Sequence, residues 1–215
     1  MRKINLTITG CMGRMGQQLI KSVNKDKAVK ISSLTENYLV NKKFIGVKPQ
    51  KNSEIAFKNA NVIIDFTVPK CTLEVLKIAT KLKKRVVIGT TGFTKKEEDL
   101  IKKYSKKIPI LKAGNMSVGI NLLMYITEIA SKSIGKKYLN KKSFPYGKNI
   151  NFNSIRKGEV VGEHEVKFSS GKEIITLSHE AFDRALYSEG ALEAAKWLST
   201  KKPGLYSMRN LLNFK

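Results

Sequence analysis

Three glycines, Gly10, Gly13 and Gly16, stand in the run Gly-Cys-Met-Gly-Arg-Met-Gly. Without Cβ atoms, such residues let backbone amides approach a phosphate closely. Amides at the start of a helix also carry partial positive charge. A carboxylate, Glu36, follows about twenty residues after Gly16, where an acid can accept hydrogen bonds from both hydroxyls of an adenosine ribose. The spacing is G-x-x-G-x-x-G rather than the commoner G-x-G-x-x-G, so its meaning depends on what surrounds it. Before it, Ile4, Leu6 and Ile8 alternate with polar residues as in a strand. After it, Met15, Leu19, Ile20 and Val23 repeat with a helical period. A strand, a glycine turn, a helix and a distal acid together predict a pyrophosphate seated on the helix N-terminus, in a dinucleotide such as NADH or NADPH. Glu36 disfavours a 2′-phosphate and is followed by Asn37, which leans the reading toward NADH. Lys42 and Lys43 in the next loop can offset that repulsion.

Other chemistry-bearing residues fall at the ends of apolar runs. A second strand is predicted over 29–34, a polar loop over 37–52 and buried strands over 61–66, 85–89 and 108–111. Helices are predicted over 71–82, entered through Pro69, and from an N-cap at Thr94 to about 106, with Glu97 and Glu98 in the first turn. Alternating strands and helices over 3–112 predict a doubly wound parallel sheet of Rossmann type. In such sheets ligands bind beyond the carboxyl ends of the strands. Those ends carry Asp65-Phe66-Thr67, Gly89-Thr90-Thr91-Gly92 and Ala113-Gly114-Asn115-Met116-Ser117. Phe66 and Thr67 join the candidate cofactor residues on that basis.

The rest of the chain has a different pattern. A helix is predicted over 118–134, with Ile120, Leu123, Met124, Thr127, Ala130 and Ile134 on one face. A polar, Lys-rich stretch over 135–148 follows. Three alternating runs, 150–156, 159–168 and 173–179, predict an antiparallel meander. A last helix over 186–200 contains Trp197, and Pro203-Gly204 leads into a short tail. The expected organisation is a dinucleotide-binding domain over 1–116 and 184–215, with a substrate-binding and oligomerisation domain over 117–183.

Composition excludes several classes. The formal charge is +24, but Lys greatly outnumbers Arg and is scattered along the chain. Nucleic-acid surfaces cluster basic residues and interleave Arg with aromatics, so no nucleic-acid partner is expected. The field does favour anionic ligands. No apolar run reaches the 18 or so residues of a membrane span, and no signal peptide is evident, so a cytoplasmic location is expected. Cys11 and Cys71 fit neither a disulfide framework nor a metal site; both read as free thiols.

The motifs gathered so far, with Asn115-Met116-Ser117-Val118-Gly119-Ile120-Asn121, Val161-Gly162-Glu163-His164, Gly190-Ala191 through Lys196-Trp197 and Lys202-Pro203-Gly204-Leu205-Tyr206, occur in one order along the chain. Together they resemble the 4-hydroxy-tetrahydrodipicolinate reductase (dihydrodipicolinate reductase) family. The resemblance implies an oxidoreductase of lysine and diaminopimelate biosynthesis that reduces a cyclic dicarboxylate with NADH or NADPH. It implies a Rossmann domain plus a small α+β domain whose antiparallel sheet builds a homotetramer. Carried over, the cofactor residues are Gly10, Cys11, Met12, Gly13, Arg14, Met15, Glu36, Gly89, Thr90, Thr91, Ala113, Gly114, Asn115 and Met116. Arg184 resembles the family's arginine near the substrate, where a guanidinium can pair bidentately with a carboxylate. No metal is implied.

One segment departs from the family. After the long helix the family carries E-x-H-H-x-x-K-x-D-x-P-S-G-T, which supplies proton-donating and carboxylate-binding groups. This chain runs through a short Lys-rich stretch instead. Its only histidines, His164 and His179, fall in the meander and read as structural. No catalytic residue is assigned, although Lys136, Lys137, Lys141, Lys142 and Lys148 are candidates for a substitute donor. The chain thus reads as a shortened reductase. The alternative is a dinucleotide-binding pseudoenzyme with a structural or regulatory role.

Overall fold

The computed structural model describes residues 3–38, 40–138, 161–169 and 172–214. It divides into two compact units, Met1–Val118 with Ala185–Lys215, and Gly119–Arg184.

The first unit is built on a parallel sheet of six strands: β1 (Ile4–Thr9), β2 (Val29–Thr35), β3 (Val62–Asp65), β4 (Arg85–Ile88), β5 (Pro109–Lys112) and β8 (Gly204–Tyr206). Their order is β2-β1-β3-β4-β5-β8. From β1 the chain steps outward to β2, then returns past β1 to β3. The strand order therefore reverses between β1 and β3, which opens a crevice at their carboxyl ends.

Side chains of the central strands alternate between two cores, because successive residues of a strand point to opposite faces. Leu6, Ile8, Val62, Ile64, Val87 and Leu111 pack with Leu19, Ile20 and Val23 of α1 (Arg14–Lys25) and Ala191, Ala194 and Ala195 of α6 (Ala185–Leu198). On the other face, Ile63, Val86, Ile88 and Ile110 pack with Val75, Leu76 and Ala79 of α3 (Pro69–Lys81) and Ile101 of α4 (Lys95–Ser105). Burial on both faces explains why these strands read as continuous apolar runs. Pro69 occupies the first turn of α3. Thr94 and Glu97 close a reciprocal capping box on α4, as their spacing predicts.

Local pattern missed parts of this unit. A short helix, α2 (Glu54–Phe57), is capped by Ser53, whose hydroxyl accepts from the Ala56 N–H. Residues 37–38 and 40–52 are loop as expected, but Gln50 forms a parallel bridge to Thr35. The stretch after Pro203 is not an irregular tail. It forms β8, which pairs with β5, and then α7 (Met208–Leu211), whose Met208 is buried in the core. Three residues are too few to display a period; pairing with β5 makes them a strand.

In the second unit α5 runs over Val118–Tyr138, so the first residues of the expected Lys-rich loop, 135–138, are helical. On the face expected from the helical period, Ile120 is buried and Leu123, Thr127 and Ala130 are half-buried, while Met124 is 54% exposed; Leu122, Ile126 and Ile129, off that face, are exposed. The antiparallel sheet comprises β6 (Gly162–Ser169) and β7 (Ile174–Ala181), in register from Gly162↔Ala181 to Ser169↔Ile174. The first expected run of the meander, 150–156, lies outside the described residues. Among the described residues no helix is long and apolar enough to cross a membrane.

Candidate functional site

The glycine turn lies where β1 ends. Gly10 has φ +60°, a conformation that side chains disfavour, and a Cβ there would meet the Thr67 methyl at 2.7 Å. A Cβ on Gly16 would meet the Gly10 carbonyl oxygen at 2.3 Å. The two glycines thus have separate tasks: Gly10 makes the turn, and Gly16 lets α1 pack against it. Gly13 is the N-cap of α1, has no side chain to cap it, and no acid stands in the first turn. The first amides of a helix have no partner within it. Those of Arg14, Met15 and Gly16 consequently offer an anion both donors and the positive end of the helix dipole.

Glu36 emerges just after β2 and reaches this turn. The Met12 N–H donates to Glu36 Oε2 at 3.0 Å, and the Asn37 N–H donates to Oε1 at 3.0 Å. The carboxylate is therefore held beside the glycine turn with lone pairs to spare for sugar hydroxyls. It also acts on Cys11, which is fully buried: burial, and then the Glu36 charge, push that thiol up to about 11. Cys11 is consequently a neutral packing residue. Burial likewise raises Cys71, outweighing the hydrogen bond from Asn52 that favours its thiolate.

The other strand ends join the glycine turn through direct contacts. The Phe66 ring covers Gly89 so closely that a Cβ there would lie 2.1 Å from a ring carbon. The Thr67 N–H donates to Thr90 Oγ1 at 2.9 Å, and the Gly89 N–H to the Asp65 carbonyl at 2.8 Å. The Ala113 N–H donates to the Ile88 carbonyl at 3.1 Å, and a Cβ on Gly114 would touch the Thr91 methyl. Asn115 Oδ1 accepts from the Ser117 N–H at 2.8 Å. Met116 is buried against α6, where a Cβ on Gly190 would lie 1.8 Å from the Met116 carbonyl oxygen. Thr91 and Gly92 are exposed at the rim. The sequence-predicted residues from Gly10 to Met116 thus form one connected edge at the strand-order reversal.

Asp65, named at a strand end but not as a cofactor contact, lies at the centre of this edge. It is wholly buried, and four threonine hydroxyls donate to its carboxylate: Thr9 and Thr67 to Oδ1, Thr72 and Thr90 to Oδ2. No ion pair to Asp65 occurs among the described residues. The signal in the sequence was a lone acid closing the apolar run Val62-Ile63-Ile64, with threonines at three neighbouring element ends.

The remaining expected positions belong to the second unit. Arg184 is exposed at its boundary. His164 and His179 face each other across β6 and β7, with ring centroids 5.8 Å apart. Lys136 and Lys137 fall in the last turn of α5, while Lys141, Lys142 and Lys148 lie outside the described residues. No group of three or more His, Cys, Asp or Glu among the described residues could hold a metal ion.

Comparison with known proteins agrees with this layout. The model of dihydrodipicolinate reductase, N-terminus, matches residues 4–116, and that of its C-terminus matches residues 130–212. The chain is 62% identical to a 4-hydroxy-tetrahydrodipicolinate reductase of Pelagibacter ubique over 258 aligned positions, covering the whole of both proteins. It is 34% identical to one from Buchnera aphidicola of Schizaphis graminum, covering 98% of this chain and 97% of that relative. A solved dipicolinate-bound dihydrodipicolinate reductase from Paenisporosarcina has the same fold, with a TM-score of 0.78 at 18% identity over 97% of this chain and 99% of that one. Matches over both halves, at these identities and over these lengths, place the chain in the dihydrodipicolinate reductase family.

Proposed function

We propose that the chain reduces 4-hydroxy-tetrahydrodipicolinate to tetrahydrodipicolinate in the lysine and diaminopimelate route, with NADH or NADPH bound along the edge from Gly10 to Met116. As a family member it is an NAD(P)H-dependent oxidoreductase. The observation that carries the binding reading is the bond between Glu36 and the glycine turn that leads into the uncapped N-terminus of α1, at the point where strand order reverses.

The residues fit a dinucleotide. The first amides of α1 would hold the pyrophosphate, and Glu36 would take the adenosine ribose hydroxyls. The edge formed by Phe66, Thr67, Gly89, Thr90, Thr91 and Ala113 to Met116 would line the nicotinamide half. Bound there, a reduced nicotinamide supplies the hydride. Asn37 offers no cation to a 2′-phosphate, which supports a preference for NADH. Arg184, exposed and cationic, would pair with a substrate carboxylate.

Reduction of the substrate also takes up a proton, and general-acid help is typically worth about a hundred- to ten-thousandfold in rate. One of Lys136, Lys137, Lys141, Lys142 and Lys148 is the proposed donor in this chain. The alignment with the Pelagibacter relative spans 258 positions against the 215 residues here, which supports the reading of a shortened member. The test is oxidation of NADH and NADPH when the unstable substrate is generated in situ by its own synthase. Turnover supports the proposal, and dinucleotide binding without turnover would favour the pseudoenzyme.

A homotetramer, in the cytoplasm, completes the proposal. Among the described residues the antiparallel sheet has two strands, and a two-stranded sheet alone is marginal in water. Here Ile174 is 64% exposed, with Ile175 and the α5 residues Leu122, Met124, Ile126 and Ile129 also open. Light scattering of the purified protein tests the assembly.

A further inference from the structure

The carboxylate of Asp65 is fully buried, and so are three of the four hydroxyls that donate to it. Each comes from a different place: Thr9 from the end of β1, Thr72 from α3, Thr90 from the residues after β4, and the half-buried Thr67 from the turn after β3. Removing a carboxylate from water is costly unless its lone pairs are filled, and four hydroxyl protons fill them here. A hydroxyl has one proton. A threonine that donates to Asp65 has none left for a ligand.

Resting on the dinucleotide reading above, we infer that Asp65 is the positioning residue of the crevice: by drawing the threonine protons inward, it leaves Thr67 facing the dinucleotide as a fixed acceptor. Thr67 is pinned twice. Its hydroxyl donates to Asp65 Oδ1 at 2.7 Å, and its N–H donates to Thr90 Oγ1 at 2.9 Å, while Thr90 itself donates to Asp65 Oδ2 at 3.1 Å. The Thr67 methyl also lies against Gly10, so its rotamer is tied to the glycine turn. One carboxylate thereby sets the spacing of the ends of β1, β3 and β4 and the polarity of the wall between them. Thr67 Oγ1 accepts from a sugar hydroxyl or a carboxamide N–H and offers nothing to a ligand acceptor. Preorganisation of this kind lowers the ordering cost of binding.

The experiment compares Asp65→Asn, Thr67→Val and Thr67→Ser with the unaltered chain. Ser188→Ala serves as a stability control, because it breaks a buried bond to Ser22 between α1 and α6. Dissociation constants for NADH and NADPH, the KM for the dinucleotide, kcat and Tm are measured well below each Tm. Asp65→Asn places an amide donor where two hydroxyls donate. It is expected to raise Kd and KM about tenfold or more while changing kcat less than about threefold. Thr67→Val has the same direction, and Thr67→Ser, which keeps the inward bond, stays near the unaltered value. Ser188→Ala lowers Tm and leaves Kd alone. If Asp65→Asn does not fold, the Val and Ser variants decide the matter. Equal Kd for Thr67→Val and Thr67→Ser, or losses that merely follow Tm, would overturn the inference. Failure of the unaltered protein to bind either dinucleotide would instead overturn the reading it rests on.

Discussion

The Met12 backbone N–H donates to Glu36 Oε2 at 3.0 Å, tying the acid at the end of β2 to the turn that follows β1. The bond fixes where the carboxylate points before any sugar arrives. Glu36→Gln removes the charge and keeps the size. A hydrogen bond to a charged acceptor contributes about 1.5–3 kcal/mol, so NADH binding should weaken roughly ten- to a hundredfold. NADPH should lose less, because the repulsion of its 2′-phosphate disappears as well. Titration calorimetry with both dinucleotides measures the ratio; an unchanged ratio would remove Glu36 from the ribose site.

Cys11 should resist modification. Its thiol is buried and raised to about 11, with burial the larger cause and Glu36 the second. The unaltered protein should therefore react negligibly with a thiol reagent through Cys11 at pH 8, where an ordinary cysteine is partly thiolate. Glu36→Gln should lower the Cys11 pKa, yet leave it above the ordinary 9.0 because burial persists. Alkylation rates followed against pH by mass spectrometry give both values. Rapid labelling at neutral pH would show that the glycine turn opens in solution.

Two glycines predict contrasting outcomes. A Cβ on Gly190 would lie 1.8 Å from the Met116 carbonyl oxygen, within backbone that cannot yield without moving α6. Overpacking of this kind costs about 1–3 kcal/mol, so Gly190→Ala should lower Tm by several degrees. It should also raise the dinucleotide KM, since Met116 is at the crevice edge. Gly92 has φ +85° and no neighbour within 4 Å, so Gly92→Ala meets only backbone strain, about 1–2 kcal/mol. Its expected effect is a smaller Tm loss with KM little changed.

Asp26, just after α1, is bonded by the Ala28 N–H and by Lys196 of α6 at 3.0 Å. Burial pushes its carboxyl up, but those bonds outweigh it and hold the pKa below the ordinary 3.8. A carboxylate depressed on folding stabilises above its unfolded pKa and loses that contribution as pH falls through the lower folded value. Burial lowers Lys196, but Glu193 and Asp26 raise it above 10.5 overall, so its share is lost only as pH climbs beyond that. After solvent screening the pair contributes roughly 0.5–1 kcal/mol. Asp26→Asn should cost that much at pH 7 and progressively less as pH falls below the ordinary 3.8, as measured by urea unfolding across that range.

Much of the first unit was legible because its strands are covered on both faces. Val62-Ile63-Ile64 and Val86-Val87-Ile88 need no partner to be recognised as buried, and Thr94 with Glu97 announces a helix by local chemistry alone. Glycine spacing and Glu36 marked the crevice for the same reason: each obeys a short-range rule. Leu205 and Tyr206 carried no such signal, since a three-residue strand exists only by pairing with β5. Met124 shares the helical spacing of Ile120 and Leu123 yet is 54% exposed, because spacing sets which residues share a face and not what covers each of them.

The residues in order determined the alternation of strand and helix, the turn that Gly10 permits, and the carboxylate placed to meet it. Each follows from a preference that acts over a few bonds. Only the folded chain decided that Thr9, Thr67, Thr72 and Thr90, spread over more than sixty residues, converge on Asp65. That convergence depends on parallel strands brought side by side by long crossovers. No local preference specifies which distant hydroxyl will fill a buried oxygen's lone pair.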